Sequence, residues 1–182
     1  MDLVELVIGV HTTLDAHGLP HAFGGALALT YVAQPRTTID IDVNVFAPLA
    51  DLKRVSTALA TLDFVPEAND HLPIAGVRFR HPVTPFPVDV FLSLSDEYVL
   101  IEQRVTTHPF GRADDVLPFL SAEDLCIFKL SFARPKDWID LAAVVDARPS
   151  LDVAYIEEQL VALRGPTMYP RVARLRSLIS RA

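Results

Sequence analysis

Leu3, Leu6, Val7, Val10 and Leu14 recur at helical spacing, which predicts an amphipathic helix over residues 2–16 that Gly18-Leu19-Pro20 stops. "HAF" at 21–23 then reads as a short strand running into Gly24-Gly25, and residues 26–32 return to a helical pattern that ends before Pro35. From Ile39 to Phe46 the spacing changes to an alternation, the signature of a strand. A helix over about 49–62 follows, then short strands near Phe64-Val65, Val77–Arg80 and Val88–Leu92, with Pro82, Pro85 and Pro87 between them. Residues 93–120 carry no decisive pattern. Ser121, with Asp124 three residues on, opens a helix by a variant of the capping box, and helical spacing fills 122–133, 136–146, 152–163 and 168–180. Mixed elements first and helices last predict an α+β fold, a mixed sheet flanked by helices. Residues 1–120 are expected to form its core, with a helical segment, 121–182, packed on it as one compact unit.

Composition agrees with a globular chain: 182 residues, 51% hydrophobic and 21% charged, suffice for one sizeable core. No apolar run approaches the roughly 18–20 residues of a membrane span, and acids stand near the N-terminus where a signal peptide needs bases, so a soluble, cytoplasmic protein is expected, with no membrane partner. The single Cys126 lies in "LCIFKL" and reads as a buried thiol. None of the six histidines pairs with another His or Cys at zinc-ligand spacing. A net charge of −7 argues against general coating of nucleic acid. The exception is the tail, where Arg164, Arg171, Arg174, Arg176 and Arg181 occur with no acid: either a solvated helix face or a local contact to phosphates.

The alternating strand poses the chemical question. Ile39, Ile41, Val43 and Val45 point one way, so Asp40, Asp42 and Asn44 point the other, and two carboxylates on one face repel unless a cation lies between them. An all-oxygen site favours Mg2+ or Mn2+. An edge strand whose polar face meets water would show the same Asp-x-Asp. Asp89 in "PVDVFLSL" is a third carboxylate set alone in an apolar strand, and a cluster of three could hold ions that activate a hydroxyl and grip a triphosphate. Gly24-Gly25, between strand and helix, allows backbone N–H groups to approach phosphate oxygens. Lys129, within a helix apolar nearly all round, needs an anionic partner or must snorkel to solvent.

With "GG", fourteen residues and then "DID", and with Arg36, Thr38 and Asp40 forming R-x-T-x-D, this region resembles motif I of the polymerase β-like nucleotidyltransferases. More narrowly it is similar to the AbiEii/AbiGii toxin-like branch that includes the MenT-type toxins, and "LSAEDLCIFKLSFARPKDWIDL" resembles that branch's helical segment. The resemblance covers roughly residues 20–145 and implies the polymerase β-like nucleotidyltransferase fold. It implies that Asp40, Asp42 and Asp89 ligate the metal ions, with Asp89 near the attacking hydroxyl. Gly24, Gly25, Arg36, Thr38, Lys129 and Arg134 would bind the nucleotide, with Lys136 a further phosphate contact. Asp140 would orient Lys129 or the substrate, a role for which Asp137 competes because an acid in a first helical turn also complements the helix dipole. Ala26 departs from the Gly-Ser form of the motif and leaves backbone amides as the phosphate cradle. The resemblance further implies an NTP as substrate, the 3′ end of tRNA as acceptor, and a toxin's role with a cognate antitoxin as partner. A small-molecule enzyme acting on an antibiotic, and a catalytically silent binding protein, are the alternatives on the same fold.

Overall fold

The computed structural model describes residues 2–72, 74 and 76–181, the side chains of 68–72 and 112–114 excepted. The elements run in chain order: α1 (Leu3–Ala16), β1 (His21–Phe23), α2 (Gly25–Val32), β2 (Ile41–Pro48), α3 (Leu52–Ala60), β3 (Val65–Leu72), β4 (Gly76–Arg80), β5 (Val88–Ser93), α4 (Tyr98–Gln103), β6 (Thr106–Phe110), β7 (Arg112–Phe119), α5 (Ala122–Phe132), α6 (Pro135–Ala147), α7 (Val153–Arg164) and α8 (Tyr169–Ile179). The seven strands form one mixed sheet in the order β3-β4-β5-β2-β1-β7-β6. β2 is the central strand, parallel to β5 and antiparallel to β1. That position removes the edge-strand explanation of the aspartates, since both ladders of β2 are occupied.

Residues opposed across a ladder share a face of the sheet, which fixes how the layers stack. His21 opposes Val45 and Phe23 opposes Val43, while Ala22 opposes Asn44. His11 of α1 bonds His21, so α1 covers the face carrying Val43 and Val45. The other face, with Asp42 and Asn44, meets α2 and α5 across a cleft whose walls include both. Helices on both sides explain why strand residues of both parities are apolar and buried, as in β1 and β5. α5 packs on α2, α6 and α7, and α8 packs on α6 and α7.

The predicted boundaries shift in informative places. β2 begins at Ile41 rather than Ile39: Asp40 sits in a bend, and Ile39 is 75% exposed instead of facing the core. The cause is local, because the Thr38 hydroxyl donates to the Asp40 carboxylate at 2.7 Å and to its carbonyl at 3.0 Å, a turn that competes with the ladder. Residues 93–120, without a decisive pattern in sequence, form α4 and the β6–β7 hairpin, which adds to the sheet through the parallel pairing of Phe119 with Phe23. Two histidines unpaired by spacing meet in space, with His11 Nδ1 at 2.9 Å from His21 Nε2. No helix among the described residues is long and apolar enough to cross a membrane.

Candidate functional site

The carboxylate cluster is built by register. β2 and β5 run parallel with Asp42 opposite Asp89, so the two side chains share the cleft face, and Asp40 joins them from the bend just before β2. One ligand oxygen from each of Asp40, Asp42 and Asp89 lies within 4.8 Å of the other two. Burial, with the neighbouring charges of Asp40 and Asp89, pushes the Asp42 carboxyl up to about 7 against the partial compensation of Lys129 and Lys136. A hard divalent cation relieves that repulsion, and the all-oxygen donor set fits magnesium or manganese.

The glycines make room for this cluster before they do anything for phosphate. Gly25 has φ +53°, and a Cβ there would lie 1.8 Å from Asp42 Oδ2. Gly24 donates its N–H to the Asp42 carbonyl at 2.9 Å, and a Cβ on it would stand 3.0 Å from Asn44 Nδ2. α2 starts at this turn, and no side chain caps its N-terminus, so its first-turn N–H groups carry no side-chain partner.

The opposite wall supplies cations. Lys129 is buried, and its Nζ donates to Asp140 Oδ2 at 2.5 Å, so it does not snorkel. Arg36 grips the same carboxylate with Nε at 2.8 Å and Nη2 at 2.9 Å. Burial works to raise the Asp140 carboxyl, but the hydrogen bonds and charges of Arg36 and Lys129 outweigh it and hold the group below its ordinary range. Asp140 therefore ties the loop before β2, α5 and α6 at one point. Asp137 acts differently: it caps α6 by accepting the Arg134 backbone N–H at 2.9 Å and pairs with that guanidinium at 2.8 Å. Arg134 lies over the Phe132 ring at the cleft, and Lys136 lines the same wall. Of the predicted nucleotide contacts, Gly25, Arg36, Lys129 and Arg134 line the cleft; Gly24 and Thr38 do not, Gly24 lying against Asn44 and Thr38 bonding Asp40.

Sequence reading missed Arg78, whose guanidinium binds both Asp89 oxygens at 2.7 Å from the directly opposed position on β4. The signal was there: an arginine set between Val77 and Phe79 of a strand needs a carboxylate on the next strand. Four of the five C-terminal arginines have partners within the protein. Arg164 donates to Tyr98 Oη, Arg171 to the carbonyls of Leu130 and Ser131, Arg174 stacks on Trp138, and Arg176 pairs with Glu157.

No protein-family profile matches the chain, and no curated protein matches it. Solved structures do. An ANT(2″)-Ia in complex with adenylyl-2″-tobramycin superposes with a TM-score of 0.62 at 17% identity, over 90% of this chain and 98% of that one. An antigenic nucleotidyltransferase-like protein from Paracoccidioides brasiliensis gives 0.52 at 17% identity over 93% and 92%. The lincosamide antibiotic adenylyltransferase LnuA, lincomycin-bound, gives 0.50 at 13% identity over 75% and 92%. The mixed seven-stranded sheet flanked by helices is thus the fold of these nucleotidyltransferases.

Proposed function

We propose that the protein is a metal-dependent nucleotidyltransferase that moves a nucleoside monophosphate from an NTP to an acceptor hydroxyl. The observation that carries this reading is the convergence of Asp40, Asp42 and Asp89 beside the glycine turn that opens α2. Asp40, Asp42 and Asp89 would hold Mg2+ or Mn2+, which when bound screens the charge of the transferring phosphoryl group. The α2 N-terminus and Lys129 receive the triphosphate, with Arg36, Arg134 and Lys136 at the cleft wall. Lys129 keeps N–H donors beyond the one given to Asp140, because an ammonium has three. The acceptor oxygen forms its bond to the α-phosphorus, the bond from that phosphorus to the bridging oxygen breaks, and pyrophosphate leaves. Asp89, held in place by the Arg78 fork, takes the hydroxyl proton. Positioning and fixed charge supply the catalysis.

A small, cationic acceptor of the antibiotic kind is the acceptor we favour. The chain carries a net charge of −7, and Arg171, Arg174 and Arg176 of the basic tail have partners within the protein. The tRNA 3′ end, with a toxin's role and an antitoxin partner, is the second reading, supported by the R-x-T-x-D pattern of motif I at Arg36, Thr38 and Asp40. Incubation with magnesium, each labelled NTP, and either an aminoglycoside and lincosamide panel or total tRNA separates the two. Asp40→Asn and Asp42→Asn should each lower transfer at least about a hundredfold, since each removes a ligand charge with little change of shape. Both should also abolish the rise in Tm that magnesium or manganese gives the wild type. Full activity in either variant would sink the reading.

A further inference from the structure

Two residues beyond the paired carboxylates, the same two strands change the chemistry of the cleft floor. Asn44 opposes Phe91 as Asp42 opposes Asp89. Asn44 is 3% exposed, its Oδ1 has no hydrogen-bond partner, and it lines the same cleft as Asp42. Buried amides are nearly always paired, and an unpaired one costs stability. Nothing in the packing compels an amide there: the surrounding walls are Phe91, Leu120, Leu125, Phe128 and Phe132, and Phe91 meets Phe132 edge-on at 5.6 Å between centroids. A leucine would suit that neighbourhood better. Gly24 even forgoes a side chain where a Cβ would crowd the Asn44 amide.

The cleft lining therefore combines two chemistries around Asp42. Four cations, Arg36, Lys129, Arg134 and Lys136, share it with aromatic and aliphatic side chains, Arg134 stacking on Phe132, and with one amide whose Oδ1 has no partner. An NTP has the same division, a polyanionic triphosphate and a flat base whose faces are apolar and whose edge carries donors and acceptors. The step from Asp42 to Asn44 along the strand, about 6.6 Å, is of the order of the span from an α-phosphorus across the ribose to the base. We infer that the aromatic side chains of the cleft take the nucleobase of the NTP, and that the Asn44 carboxamide hydrogen-bonds its polar edge and so sets which NTP is used. With no protein partner to fix it, the amide turns either its oxygen or its NH2 toward the base. A polar group left unpaired by the wrong base is what gives such a contact its discrimination.

This inference rests on the nucleotidyltransferase reading, and calorimetric binding keeps the two apart. Wild type, Asn44→Leu and Asn44→Ala are titrated with ATP, GTP, CTP, UTP and inorganic triphosphate, and their Tm values are measured without ligand. Wild type should prefer one NTP. Asn44→Leu should weaken that NTP about ten- to a hundredfold and bring the four NTPs close together, with triphosphate affinity unchanged. Its Tm without ligand should equal or exceed that of wild type, because an unpaired buried amide has been replaced by an apolar side chain of similar size. Asn44→Ala carries the same binding test if the leucine variant fails to fold. An unchanged NTP ranking in the folded variants overturns the inference while leaving the enzyme reading intact; wild type binding no NTP at all overturns both.

Discussion

At Gly25 two demands coincide, a positive φ and the near approach of Asp42, and Gly18 separates them. Gly18 has φ +59°, close to the +53° of Gly25, but nothing lies within 4 Å of a Cβ placed on it. Gly18→Ala should cost only the left-handed conformation, about 1–2 kcal/mol. Gly25→Ala adds the displacement of Asp42 and should lose transfer as well as more stability. Thermal unfolding beside a transfer assay checks this; equal losses of stability with activity kept in both would show that the approach to Asp42 is immaterial. His21 supports a second prediction. Burial lowers it from 6.5 to about 4, against the raising effect of its bond to the Leu19 carbonyl; His11 adds to the lowering and Asp15 opposes it. A depressed folded pKa means the stability is complete above pH 6.5 and disappears as pH falls through 4, about 3 kcal/mol in all. His21→Gln should therefore show a smaller fall in Tm between pH 7.5 and pH 5 than wild type does.

Among the elements, the helices were the most legible and the meaning of their charges the least. The 3.6-residue recurrence of Leu3, Leu6, Val7, Val10 and Leu14 predicts α1 within one residue at its start, since periodicity is a local property. β6 and β7 escaped because an edge hairpin with one solvated side carries a weak pattern, and its place in the sheet depends on Phe119 meeting Phe23 far away in sequence. The arginine-only tail left a solvated helix face and a phosphate contact both open, because charge in a sequence does not show whom it meets. Arg171 Nη1 donates to the Leu130 and Ser131 carbonyls at 2.6 and 2.7 Å, satisfying the C-terminal end of α5. Arg171→Gln should lower stability by about 1–2 kcal/mol in denaturant titration. It should leave the salt dependence of acceptor binding unchanged, whereas a flatter slope with tRNA would restore the arginines to RNA contact.

For the molecule as a whole, Asp42 and Asp89 were legible because each stands among apolar strand residues, and Asp40 because it lies two positions from Asp42, patterns visible without coordinates. Arg78 and the un-partnered state of Asn44 were not, because each is a property of two strands in register and of a helix laid over them. The difference between Asp137 and Asp140 also needed three dimensions to see: both are buried in α6, yet one caps its own helix and the other gathers Lys129 and Arg36. That last junction has a consequence during synthesis. The three carboxylates and both glycines are made by residue 89, but the anion that anchors Lys129 and Arg36 is residue 140. At translation rates of about 5–20 residues per second, the acidic cluster precedes its cationic wall by about 3–10 s. A nascent chain thus carries the carboxylates before the residue that draws Lys129 and Arg36 together, and on the proposed function transfer would begin only once α6 has docked.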